Sequence, residues 1–126
     1  LKDFNVNENI LLPLMYKGLS KKQAIKLASE SLEHVNMINH RTSSISTLSG
    51  GEAQRVGIAR AISMQSKIIL ADEPTGNLDN ESSSSIISYL TNICLDKKIT
   101  LVIVSHDSNI IGLLKNIKKL VNGKII

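Results

Sequence analysis

The sequence predicts an α/β fold in which a helical half is followed by a βαβ unit of a parallel sheet and a C-terminal hairpin. Three observations carry this prediction. Ala24, Leu27, Ala28, Leu32 and Val35 recur at helical spacing in the first half. In the second half two apolar runs, Lys67 to Ala71 and Ile99 to Val104, flank a helical pattern of Ile86, Ile87, Leu90, Ile93 and Cys94. Near the end, Asn122-Gly123 separates two short apolar stretches.

Taken in order, residues Val6 to Lys17 form a short helix that carries Pro13 and is closed by Gly18. A second helix starts at Ser20, which with Gln23 three residues on makes a capping box. Asn36 to Thr47 is polar and irregular and is expected to be a connecting loop, after which a helix opens at Ser49. The runs at Lys67 to Ala71 and Ile99 to Val104 are continuous in apolar character, which suits strands buried on both faces of a parallel sheet. Their crossover through the intervening helix is expected to be right-handed. Ile117 to Val121 and Ile125-Ile126 are the arms of the hairpin. The pattern changes near Thr47 to Gly51, and two subdomains are expected, 1–63 and 64–126.

Composition narrows the function classes. With 126 residues, 42% of them hydrophobic and 21% charged, the chain has the make-up of one globular domain, short for a nucleotide-hydrolysing α/β domain. Phe4, Tyr16 and Tyr89 are the only aromatics, so the core is aliphatic and no stacking platform for single-stranded nucleic acid exists. The net charge of +4 is spread over scattered lysines and does not mark a polyanion site. Cys94 stands alone, which excludes an internal disulfide and a thiolate metal cluster. The longest apolar stretches, Ile10 to Met15 and Leu101 to Val104, are too short to span a bilayer.

Three stretches carry candidate chemistry. In Leu48-Ser49-Gly50-Gly51-Glu52-Ala53-Gln54-Arg55, Ser49 reads as an N-cap and Glu52 as the second member of a capping box. Capping does not explain two glycines in the first helical turn, each weakening the helix by up to about 1 kcal/mol relative to Ala. They would let backbone N–H groups approach an anion at the positive end of the helix. In Ile68-Ile69-Leu70-Ala71-Asp72-Glu73-Pro74, a strand delivers two carboxylates at its carboxyl end, the edge where open α/β sheets bind ligands. One such carboxylate can hold Mg²⁺ through its waters and its neighbour can deprotonate an attacking water; the bland alternative is a solvated acidic turn. Val104-Ser105-His106-Asp107 follows the second strand, so His106 is expected at that same edge, where an imidazole can donate to a phosphate oxygen. His34 and His40 show no ligand spacing and are assigned no role.

In order, these stretches resemble the ABC ATPases. Leu48 to Glu52 is similar to the signature motif, Ile68 to Asp72 followed by Glu73 to the Walker B strand with its catalytic glutamate, Gly76-Asn77-Leu78-Asp79 to the D-loop, and His106 to the switch histidine. The wording Ala71 to Asp79, with Glu8-Asn9-Ile10 and Leu12-Pro13-Leu14, resembles the lipoprotein-release, macrolide-export and cell-division branch. The resemblance implies a partial P-loop NTPase fold. It implies that Ser49, Gly50 and Gly51, with Glu52 and Asp79, serve ATP held by an opposite subunit. It further implies that Asp72 supports Mg²⁺, that Glu73 is the general base and that His106 contacts the γ-phosphate.

The departure from the family pattern is large. No Gly-x-x-x-x-Gly-Lys-Ser/Thr loop occurs; the one Gly-Lys pair, Gly123-Lys124, is followed by Ile125. The Q-loop glutamine is also missing, and the first residue is Leu1, so the chain is expected to be the C-terminal part of a longer domain. The resemblance implies a cytoplasmic ATPase subunit, peripheral on the inner face of the membrane. Its partners would be a second ABC ATPase subunit and transmembrane permease subunits. A non-catalytic docking fragment is the alternative. A nucleic-acid-associated ABC ATPase is disfavoured, since those branches carry other residues around Asp72-Glu73-Pro74 and Gly76-Asn77.

Overall fold

Side-chain caps set where the helices start. In the computed structural model, which describes residues 3–76 and 78–126, α1 (Val6–Tyr16) begins after Asn5, whose Oδ1 accepts from the Glu8 N–H at 2.8 Å while its own N–H donates to Glu8 Oε2 at 2.8 Å. The same reciprocal box opens α2 (Lys21–His34) through Ser20 and Gln23. It recurs at α3 (Gly50–Ser63) through Ser49 and Glu52. Each box satisfies backbone donors that a helix start otherwise leaves open. Between α2 and α3 lie two 3-10 turns, Ile38–His40 and Ile45–Thr47, inside the stretch expected to be irregular. This loop also secures the first helix, because the Arg41 and Ser43 carbonyls accept from the N–H groups of Asn7 and Val6.

Helices α1 to α3 and the last long helix end by a common device. Gly18, Asn36, Gln65 and a residue late in the chain, Lys98, take left-handed φ values of 93°, 56°, 50° and 55°. The backbone then folds back, with Leu19 donating to Leu14, Met37 to Leu32 and Ile99 to Cys94. These are Schellman-type caps, which glycine adopts freely and the other residues at a modest cost.

The second half supplies β1 (Ile68–Asp72), α4 (Asn80–Asp96), β2 (Thr100–Val104), the short α5 (Ser108–Ile111) and a hairpin of β3 (Leu120–Val121) and β4 (Lys124–Ile125). Strands β1 and β2 pair in parallel, in register from Ile68 opposite Thr100 to Asp72 opposite Val104. The hairpin turns through Asn122 and Gly123, both at positive φ, as a two-residue primed turn requires.

One buried aliphatic cluster joins the two halves. Val6, Ile10 and Leu14 face inward from α1, Ala24, Ala28 and Leu32 from α2, and Val56, Ala59 and Ile62 from α3, together with Ile69, Ile86, Leu90 and Cys94. Alanines on α2 let the helices approach closely, and each fully buried Ile or Leu contributes about 1.5 to 3 kcal/mol. The expected subdomain boundary between residues 63 and 64 falls in the connection from α3 to β1, and the cluster runs across it.

The sheet corrects one expectation. Continuous apolar runs predict cover on both faces, yet only the face bearing Ile69, Ala71 and Leu101 packs on the core. On the other face Ile68, Leu70, Val102 and Val104 are 57%, 77%, 44% and 59% exposed. The reason is geometric. Side chains alternate across a strand, and among the described residues the helices pack on one face of β1 and β2 alone.

Candidate functional site

The parallel register brings the carboxyl ends of β1 and β2 together, and the residues just beyond them meet. The Glu73 N–H donates to the Val104 carbonyl at 2.9 Å, extending the ladder past Asp72. Glu73 then turns with φ at 42°, a left-handed conformation uncommon for a residue with a side chain. Unlike Asn36, Gln65 and Lys98, which follow helix ends, and Asn122 in the hairpin turn, it sits directly after a strand, and strain of this kind tends to gather at functional sites. The turn aims its carboxylate at the loop after β2. Glu73 Oε1 lies 2.7 Å from His106 Nδ1 and accepts from the His106 N–H at 3.2 Å, while Ser105 Oγ donates to Oε2 at 3.4 Å.

The contact shifts both groups. The His106 hydrogen bond, followed by its positive charge, holds Glu73 below its ordinary 4.5 against the opposing effect of desolvation. Reciprocally, the hydrogen bond to Glu73 and then its negative charge raise His106 above 6.5. Asp72, one residue earlier on the opposite side of the strand, is exposed. The three residues Asp72, Glu73 and His106 therefore share one sheet edge, and Glu73 and His106 touch.

A second cluster sits at the starts of α3 and α4. Ser49 Oγ donates to Glu52 Oε2 at 2.9 Å, and hydrogen bonds from the Ser49 backbone and then its side chain hold the Glu52 carboxyl below its usual value. His40 Nε2 stands 3.9 Å from Glu52 Oε1, so this histidine, given no role from the sequence, borders the cap. Asp79 is the N-cap of α4; its carboxylate accepts from the Ser82 N–H at 2.9 Å and the Ser82 hydroxyl at 2.7 Å, which lowers its pKa. Ser49, Gly51, Glu52 and Arg55 from α3 and Glu81, Ser82, Ser85 and Ile86 from α4 line a groove of about 350 Å³. Asp72, Glu73 and His106 do not line it. Asn77, in the segment similar to the D-loop, lies outside the described residues.

Chemical fit to ATP and Mg²⁺ is partial. Asp72 offers one exposed carboxylate, and no group of three or more His, Cys, Asp or Glu that could hold a metal exists among the described residues. Such a donor set suits Mg²⁺ that keeps its waters and is bound largely by phosphate. For the nucleotide, the exposed Ser49 and Gly50 leave a helix start open to an anion, while the phosphate cradle with its lysine has no counterpart in the sequence. Sequence reasoning missed Arg55, Tyr89 and Ser105. Arg55 and Tyr89 face each other across α3 and α4, a contact that no local pattern announces.

The ABC transporter family profile matches residues 1–76. The chain is 42% identical over 126 residues to the lipoprotein-releasing system ATP-binding protein LolD of Francisella tularensis subsp. holarctica, covering 99% of this chain and 54% of that protein. It is 37% identical over 126 residues to the LolD protein of Geobacter metallireducens, covering 100% and 56%. The chain thus spans about half the length of these curated relatives. Among solved structures, a dimeric bacterial ABC transporter cassette superposes with a TM-score of 0.73 at 35% identity, over 87% of this chain and 49% of that one. An inward-facing transporter described as of metal-chelate type superposes with a TM-score of 0.83 at 28% identity, over 91% and 47%. The fold is a partial P-loop NTPase fold, and the chain belongs to the ABC transporter family.

Proposed function

We propose that this chain is the signature and catalytic part of an ATP-hydrolysing ABC transporter subunit that works in export or in extraction from a membrane. One observation carries the reading: the 2.7 Å contact between Glu73 and His106, directly beyond the paired ends of β1 and β2. Similarity to LolD proteins supports the transport assignment. Asp72 contributes a carboxylate toward Mg²⁺, which with ATP supplies the charge-neutralised phosphoryl centre when bound. Glu73 accepts the proton of the attacking water. Its lowered pKa makes it a weak base while His106 is attached; release of His106 toward a phosphate oxygen strengthens it. Ser49, Gly50 and Gly51, with Glu52 as their cap and Asp79 beside them, face the nucleotide held by a second subunit. Transmembrane partners receive the resulting motion from a cytoplasmic, peripheral subunit. Among the described residues no helix is long and apolar enough to cross a membrane.

The phosphate cradle is supplied by sequence beyond these 126 residues, and the isolated chain does not turn ATP over. The coding sequence upstream of Leu1 is expected to encode Gly-x-x-x-x-Gly-Lys-Ser/Thr. The complete subunit is expected to release phosphate from ATP, and Glu73→Gln to slow it by about 10² to 10⁴. An in-frame stop upstream with no such loop favours instead a non-catalytic docking piece, a reading that the bare apolar face of Ile68, Leu70, Val102 and Val104 also supports.

A further inference from the structure

We propose that Arg55, stacked on Tyr89, is a positioning residue that fixes the start of α3 against the start of α4 and so sets the hydrolysis rate without touching nucleotide. The inference rests on the ATPase reading above. The Arg55 guanidinium carbon lies 5.8 Å from the centroid of the Tyr89 ring, within the distance at which a cation is attracted to an aromatic face. Both side chains are half-buried, which strengthens the attraction relative to open solvent. Burial raises the Tyr89 hydroxyl pKa and the Arg55 charge opposes it, which reports the same proximity.

What the contact holds is visible in the groove. Arg55 lines it together with Ser49 and Gly51 at the start of α3 and Glu81 and Ser82 at the start of α4. It stands about one and a half turns beyond Ser49, whereas Tyr89 lies well along α4. Near the tips, Leu78 Cδ2 approaches within 4.0 Å of where a Cβ on Gly51 would sit. Beside the buried cluster that Val56, Ala59 and Ile62 of α3 share with Ile86, Leu90 and Cys94 of α4, Leu78 at the tips and Arg55 with Tyr89 further down are two further contacts. Loss of the stack loosens the start of α3 against α4, which shifts the exposed backbone donors of Ser49 and Gly50 while leaving their cap intact.

The test uses the complete subunit assembled with its transport partners, measuring phosphate release against ATP concentration. Arg55→Ala and Tyr89→Leu are each expected to lower kcat by about twofold to thirtyfold, with KM for ATP unchanged. Tyr89→Phe, which keeps the ring, is expected to retain the rate, and Arg55→Lys to fall between wild type and Arg55→Ala. The double variant Arg55→Ala with Tyr89→Leu is expected to be no slower than the slower single variant. A wild-type kcat in Arg55→Ala, additive losses in the double variant, or damage by Tyr89→Phe equal to that by Tyr89→Leu would overturn the inference. So would a raised KM at unchanged kcat, which would make Arg55 a nucleotide contact. If Arg55→Ala does not melt cooperatively, Arg55→Lys and Tyr89→Leu decide on the same criteria. A wild-type assembly that fails to hydrolyse ATP removes the ATPase reading and this inference together, whereas hydrolysis indifferent to Arg55 removes the inference alone.

Discussion

Gly51 separates the demands of the fold from those of function. Its φ is not left-handed, and the nearest atom that an added Cβ would meet among the described residues is Leu78 Cδ2 at 4.0 Å, an ordinary contact. Gly51→Ala should therefore raise stability by up to about 1 kcal/mol through helix propensity, while lowering hydrolysis if phosphate must approach that backbone. Thermal melting and phosphate release on the same sample check both signs; a variant that is more stable and fully active would remove the anion reading. At the sheet edge, the Glu73–His106 pair makes a pH prediction. His106 is raised above 6.5, so its contribution is full below 6.5 and is lost as pH rises through its folded value. Glu73 is lowered below 4.5, so its contribution is full above 4.5 and is lost as pH falls through its folded value. Both act fully between 4.5 and 6.5. Titration of His106 by NMR should move back toward 6.5 in Glu73→Gln, and an unmoved titration would contradict the pairing. That these two residues share an edge was legible from the strand ends. That they touch depends on the register and on the left-handed turn at Glu73, neither of which is written locally.

At the scale of elements, the caps were the most legible feature. Ser20 with Gln23 and Ser49 with Glu52 are boxes in the sequence and boxes in the structure. Asn5 with Glu8 follows the same logic and could have been read in the same way. Gln65 and Lys98 end helices in a conformation that glycine or asparagine usually marks, so those ends carried no sequence signal, whereas Asn36, where the loop was expected to begin, did. The short α5 has too few residues to show a period. Packing makes the helical half cooperative with the sheet. Leu32 of α2 is fully buried in the shared cluster, and Leu32→Ala should destabilise the protein by about 2 to 5 kcal/mol. Chemical denaturation of the complete subunit measures this, and a loss below about 1 kcal/mol would show that α2 does not share the cluster.

For the whole molecule, an apolar run in sequence does not tell whether one face of its strand is covered or both. Here Ile69 is buried while Leu70 beside it is 77% exposed. The chain also spans about half the length of its curated relatives. Its two clusters, the edge of Asp72, Glu73 and His106 and the groove of Ser49 to Arg55, remain separate within one chain. Their separation fits the proposed division of labour, in which the edge would serve one nucleotide and the start of α3 another, held by a partner. Mixing two complete subunits, one inactivated by Glu73→Gln and one by Ser49→Arg, tests this most directly. Phosphate release that neither variant shows alone is predicted, because the mixed dimer contains one site with an intact Glu73 and an intact Ser49 from opposite subunits. Mixed dimers that form and remain inactive would contradict the account.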